Sequence, residues 1–128
     1  MKIQDNLLYT PEHLWVQTSD DGTWLAGITD YAQDLLGDIV YVEPPAIGAE
    51  IKSGEPCGLV ESVKTGSDLH APLNGSVLAI NESLQNVPEQ INDAPYQSWI
   101  FKFKPHNVAD AASLLDAAAY KALLSANS

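Results

Sequence analysis

Lys64 is the residue whose surroundings point most directly to chemistry. It stands in Glu61-Ser62-Val63-Lys64-Thr65-Gly66-Ser67-Asp68, followed by Ala71-Pro72 and Asn74-Gly75. Residues 58–62 read as a strand running in and 68–70 as one running out, which makes residues 63–66 a hairpin tip. A lysine at such a tip is fixed at Cα and free at its amine. That geometry suits a covalently attached arm, installed by an enzyme approaching from solvent. A nucleophilic lysine instead needs burial to lower its pKa from ~10.4. Here Glu61, Asp68 and open turn residues favour the charged form. Solubility is the default role of a surface lysine, and spacing alone leaves that alternative standing.

The other reactive side chains are scattered. Cys57, the only cysteine, excludes an internal disulfide and a multi-cysteine metal site. After Pro56 it reads as a small buried apolar residue, with redox pairing as the minority alternative. His13, His70 and His106 lack metal-ligand spacing. His70 reads as a solvent-facing strand residue, or alternatively as part of a cleft beside Lys64. No general base at suitable spacing and no phosphate-binding glycine loop support an enzyme.

The elements that hold Lys64 are short strands separated by turns. Residues 14–18 and 24–28 form a hairpin around Asp20-Asp21-Gly22. Thr29 caps a helix over 30–36 that Gly37 ends. Strands are expected at 39–42, near Ile51, over 76–81 and over 99–103. Asn74-Gly75 is the strongest local hairpin signal. A helical turn fits 88–91, and Asp116 caps a C-terminal helix that packs on the sheet. The pattern is an all-β sandwich or flattened barrel with short peripheral helices.

The chain has 128 residues, 17 acidic against six basic, and a formal charge of −11; all six bases are Lys. One domain over 1–128 fits this length. Such a charge repels nucleic acid and anionic membranes. No stretch approaches the ~20 apolar residues of a membrane span, and neither a signal core nor an Arg-rich transit segment is present. The expected address is a bacterial or archaeal cytoplasm. The scattered acids read as a solvated face, with steering of partners as the alternative.

Several longer stretches go beyond physics. These are Gly27-Ile28-Thr29-Asp30-Tyr31-Ala32-Gln33-Asp34-Leu35-Leu36-Gly37-Asp38, Val42-Glu43-x-Pro45, Glu61-Ser62-Val63-Lys64, Asn92-x-x-Pro95-Tyr96 with Trp99-Ile100, and Leu114-Leu115-Asp116-Ala117-x-x-Tyr120. Together they resemble the H protein of the glycine cleavage system over residues 7–124. The resemblance implies a lipoyl-type fold of two antiparallel sheets and a covalent lipoate on Lys64. It also implies recognition of Glu61 by a lipoate-protein ligase or lipoyl transferase. The implied role is a non-catalytic, monomeric carrier. Its arm visits a pyridoxal-phosphate decarboxylase, a folate-dependent aminomethyltransferase and dihydrolipoamide dehydrogenase. A biotin carrier shares the hairpin-lysine design but flanks its lysine with methionines, where Val63 and Thr65 stand here.

Some positions depart from the family pattern. The segment Glu12-His13-Leu14-Trp15 has Leu14 where the family usually has a glutamate that helps hold the charged aminomethyl group. Tyr31 and Leu35 occupy positions where some members carry histidine. Asp68 matches a cleft-lining position, and Glu12 and His13 are candidates for the same cleft. A relative of this kind serves bacterial sulfur oxidation beside a heterodisulfide-reductase-like complex. Leu14, apolar and unable to pair with an ammonium, tips the expectation toward that sulfur branch, with glycine cleavage as the alternative.

Overall fold

The structure is a computed structural model that describes residues 2–126. In chain order the first strands are β1 (Leu8–Tyr9), β2 (Leu14–Gln17), β3 (Trp24–Ile28), β4 (Ile39–Glu43) and β5 (Glu50–Ile51). They are followed by β6 (Pro56–Ser62), β7 (Gly66–His70), β8 (Gly75–Ile80) and β9 (Phe101–Pro105). One sheet has the order β1-β2-β3-β9-β8-β5, and a smaller one the order β4-β6-β7. All pairings are antiparallel. The expected two-layer β architecture is therefore present as a sandwich of two open sheets. No closed barrel forms among the described residues.

The layers meet through alternating side chains, as a strand's period of two requires. Ile39, Val42, Val60 and Leu69 point inward from the small sheet and join Val16, Ala26, Val77, Phe101 and Phe103 of the large one. Each fully buried side chain of this kind contributes roughly 1.5–3 kcal/mol through area removed from water. The three strands that carry Lys64 are thus anchored from beneath. A second cluster, Leu7, Tyr9, Trp15, Ala117 and Tyr120, lies on the other face of the large sheet's first strands.

Helix α1 (Asp30–Leu36) forms where its signals put it: Thr29 Oγ1 accepts from the Ala32 N–H at 3.2 Å, and the Gly37 N–H bonds the Gln33 carbonyl. Leu36 sinks into the main core. Two short helices, α2 (Ser83–Asn86) and α3 (Gln90–Asp93), precede β9, and α4 (Ala117–Ala126) closes the chain. Asp116 caps α4 by accepting from the Ala119 N–H at 2.8 Å.

Two local expectations fail for tertiary reasons. Asn74-Gly75 is not a hairpin turn, because β7 stays in the small sheet while β8 pairs with β5 and β9 in the large one. Asn74 instead accepts from the Ser53 N–H at 2.9 Å and helps the chain cross between layers. The strand expected at 99–103 begins at Phe101, opposite Ile80 of β8, and runs to Pro105, opposite Gly75, because its pairing with β8 spans those residues.

Candidate functional site

The Lys64 tip is built by one buried hydroxyl. Ser62 is 9% exposed, and its Oγ accepts from the N–H groups of Lys64 and Thr65, each at 3.1 Å. The same hydroxyl donates to the Thr65 carbonyl at 3.1 Å, while the Ser62 N–H reaches that carbonyl at 2.7 Å. A serine that satisfies the backbone of the turn after it is a known turn-forming device. The tip then docks sideways: the Val63 N–H donates to the Asp38 carbonyl at 3.0 Å. The backbone at Lys64 is therefore held from both ends and from the side.

The side chain of Lys64 stays outside. It is exposed, and its Nζ donates to the Leu35 carbonyl, in the last turn of α1, at 3.1 Å. Carbonyls at a helix C-terminus lack intrahelical partners and carry partial negative charge, so an ammonium there is favoured. No carboxylate lies within ion-pairing distance of Nζ among the described residues. The stem passes over Gly37, where an added Cβ would come within 3.1 Å of Lys64 Cε. Gly37 also has φ 84° and ψ −152°, a conformation essentially reserved for glycine. The residue thus ends the helix and leaves room for the lysine.

Asn92 of α3 fixes this seat from behind. Its Nδ2 donates to the Gly37 carbonyl at 2.8 Å and to Gln33 Oε1 at 3.0 Å, and its Oδ1 accepts from the Ile39 N–H at 2.9 Å. One side chain therefore joins the end of α1 to the start of β4. Asn92 appears in the sequence motif without a legible role, because its partners lie more than fifty residues away. Ser62 had a local signal, a hydroxyl two residues before the tip lysine.

The other candidates fall into two places. Glu61 and Asp68 share the hairpin with Lys64: Glu61 lies opposite Gly66 and Asp68 opposite Leu59, both exposed on the outer face. His13 lies beyond the opposite end of α1. Its Nδ1 is 2.8 Å from the Tyr120 hydroxyl, its ring centroid is 4.7 Å from that of Tyr31, and burial holds its pKa below the usual histidine value. Glu12 is exposed beside it, close enough for its charge to act on the imidazole. His70 ends β7 opposite Pro56, at the far end of the hairpin from Lys64. Cys57 is half-buried against the core, and burial pushes its thiol up to about 11. Among the described residues no cluster of His, Cys, Asp and Glu is arranged to hold a metal. A cavity of about 500 Å³ is lined by Lys2, Asp30 and Tyr96 among others and does not include Lys64.

The site thus presents an exposed amine on a doubly braced hairpin, with no carboxylate partner among the described residues. Comparison with known proteins decides the lineage. The family model described as glycine cleavage H-protein matches residues 7–127. The chain belongs to that family. The glycine cleavage system H protein of Methylobacillus flagellatus is 64% identical over 124 residues, covering 97% of this chain and 99% of that protein. The one from Nitrosospira multiformis is 50% identical and covers 97% and 96%. A crystal structure of a glycine cleavage system H protein from Mycobacterium marinum superposes with a TM-score of 0.88 at 35% identity, covering 96% of this chain and 99% of that one.

Members of the family are lipoyl carriers, with lipoate attached covalently to a lysine, so the carrier expectation stands. The preference for the sulfur-oxidation branch does not gain support; the relatives favour the glycine cleavage alternative. That preference rested on Leu14 as a cleft residue, and Leu14 is 1% exposed within the main core. An apolar side chain there satisfies packing and carries no information about cargo. Among the described residues no helix is long and apolar enough to cross a membrane.

Proposed function

We infer that this chain is the lipoyl carrier of a glycine cleavage system, with Lys64 as the acylated residue. The observation that carries the inference is the exposed Lys64 amine at the apex of a hairpin braced by Ser62 and Asp38. For acylation the amine loses a proton and attacks an activated carboxyl carbon. An amide bond forms, and the activating group leaves with the electron pair. The Leu35 carbonyl holds the amine by one hydrogen bond at the surface, an interaction that yields to an incoming enzyme without unfolding anything.

A lipoyl group supplies a dithiolane whose disulfide–dithiol couple takes up and releases a one-carbon amine fragment with two electrons. The protein's own contribution is mechanical. The tip fixes the origin of the arm, the small sheet keeps that origin rigid, and exposure leaves the rest of the arm to sweep between active sites. Glu61, three residues before Lys64 and on the same outer face, is the residue an attaching enzyme would read. Asp68 on that face, and Glu12 and His13 beyond the other end of α1, are where an arm laid back along the helix would rest. In this reading the chain is one domain, a monomer and no enzyme. It works in a bacterial cytoplasm between a glycine decarboxylase, an aminomethyltransferase and dihydrolipoamide dehydrogenase. The relatives' shared name and full-length coverage support the pathway.

The test is incubation with a lipoate-protein ligase, lipoate and ATP, followed by intact and peptide mass spectrometry. A single lipoyl increment on the peptide containing Lys64 is expected, and none on Lys64→Arg. The modified protein is then expected to support glycine decarboxylation–exchange with a purified decarboxylase. Modification elsewhere, or a lipoylated chain inert in exchange, refutes the assignment.

A further inference from the structure

Eight large apolar side chains stand exposed among the described residues, and four of them lie on the elements that meet at the Lys64 tip: the end of α1, β4 and the tip itself. Leu35 is 56% exposed beside the carbonyl that holds Nζ, and Val63, next to Lys64, is 67% exposed. Val40 and Tyr41 are 51% and 45% exposed on β4, the strand paired with β6. Their position is built. A register shift between Ile39 and Tyr41 turns two successive apolar residues outward where simple alternation would bury one. Around this apolar centre stand exposed carboxylates: Asp38, Glu43, Glu61 and Asp68. Lys64 is the only Lys or Arg within residues 30–43 and 56–70.

An apolar centre with a charged rim is the anatomy of a protein interface, and scattered single apolar residues are not. We propose that this face docks the glycine-decarboxylating partner through a mouth that is apolar at its centre and rimmed by Lys and Arg. Acylation of Lys64 strengthens that docking by removing the face's one basic charge. The choice of partner rests on the function inferred above. Its chemistry follows from complementarity: carboxylates without bases call for a cationic rim, and Tyr41, Val40, Val63 and Leu35 call for an apolar recess. Four carboxylates and one ammonium become four carboxylates alone when the amine is made an amide. An attaching enzyme and a partner that uses the arm therefore meet different surfaces.

The test uses glycine decarboxylation–exchange with lipoylated protein and a purified decarboxylase. Tyr41→Ala and Val63→Ser are expected to raise KM about fivefold to tenfold each, with kcat within about twofold of wild type. Ile47→Ser, which removes an equally exposed apolar side chain from the loop after β4, leaves both unchanged. In a second measurement, unlipoylated proteins compete with lipoylated wild type. Lys64→Gln is expected to inhibit several-fold better than the unmodified lysine form, and the difference shrinks as salt rises. Tyr41→Ala and Val63→Ser with the wild-type KM, or a Lys64→Gln protein no better as a competitor, overturn the docking face. A lipoylated wild type inert in exchange overturns the pathway itself, so the two failures are read separately.

Discussion

The Lys64 tip and the ring cluster at Tyr120 spend their polar groups in opposite directions. At the tip one hydroxyl, Ser62 Oγ, satisfies backbone groups inward, and every neighbouring side chain from Val63 to Asp68 is exposed. At the other end of α1, Tyr9 and Tyr120 are 0% exposed, with rings stacked at 4.6 Å and hydroxyls bonded to Gln4, Thr29 and His13. Burial pushes the Tyr120 phenol up to about 12, so it keeps its proton to donate. The first region specifies a backbone and frees the side chains. The second specifies side chains and ties α4 to the β1–β2 turn. A carrier needs both, since an arm with a moving origin has no defined reach. The variants below separate the two regions, beginning with the one that costs most.

Tyr120→Ala removes a fully buried ring and strands the hydroxyl of Thr29 and the Nδ1 of His13. Truncation of a buried aromatic costs about 3–5 kcal/mol, and urea denaturation is expected to show a loss of that size. The fraction that remains folded is nevertheless expected to accept lipoate at the wild-type rate, because no Tyr120 contact reaches the tip. A large drop in that rate would show that the two ends of α1 are not independent.

Gly37→Ala acts on the boundary between the regions. It forces φ 84° on a residue with a Cβ and drives that Cβ toward the lysine stem. A strained backbone of this kind costs of order 1–3 kcal/mol. The thermal midpoint is expected to fall, and Gly37→Ala combined with Lys64→Ala is expected to recover the part that comes from the stem. A double variant no more stable than Gly37→Ala assigns the whole effect to the backbone.

Ser62→Ala is the complementary change at the tip. It leaves two backbone N–H groups without their acceptor, at about 1–2 kcal/mol given access to water. Overall stability falls less than with Tyr120→Ala, but the initial rate of lipoylation falls more. Ser62→Thr, which keeps the hydroxyl, restores the rate. Equal lipoylation rates for Ser62→Ala and wild type would show that the tip needs no bracing.

What was legible in the sequence was local. Thr29, Gly37 and Asp116 announce helix ends through their own backbone chemistry, and Lys64 announces a tip because strand patterns flank it on both sides. The features set by distant partners were hidden. Asn92 acts on Gly37 and Ile39, and nothing around position 92 predicts it. Asn74-Gly75 carries a hairpin signal that the change of sheet overrides. Leu14 occupies a position associated with the site, and only packing reveals it as core. The Val40–Tyr41 bulge likewise depends on how β4 registers with β6.

The smallest expected effect concerns His13, and it appears only as pH is varied. At φ 71° His13 occupies the left-handed region where the β1–β2 turn closes, with its Nδ1 facing Tyr120 and its ring against Tyr31. In the tautomer with its proton on Nε2, neutral His13 accepts from the Tyr120 hydroxyl, which can in turn accept from Thr29 Oγ1. Protonation of that tautomer would turn the Tyr120 hydroxyl into an acceptor, and burial already disfavours the charge while Glu12 only partly offsets it. The folded pKa therefore lies below the 6.5 of the unfolded chain. Over that window the unfolded state binds more protons, so stability is full above 6.5 and declines as pH falls through the folded value. The carboxylates held low by hydrogen bonds, Asp21, Asp30 and Glu50, lose their contribution only at more acid pH. His13→Asn keeps an acceptor near Nδ1 and tolerates positive φ. Its urea midpoint is expected to match wild type at pH 7.5 and to fall less by pH 5.5. Parallel declines in the two proteins would remove His13 as the source of the mild-acid loss and leave Tyr120 bonded to it without any bearing on pH.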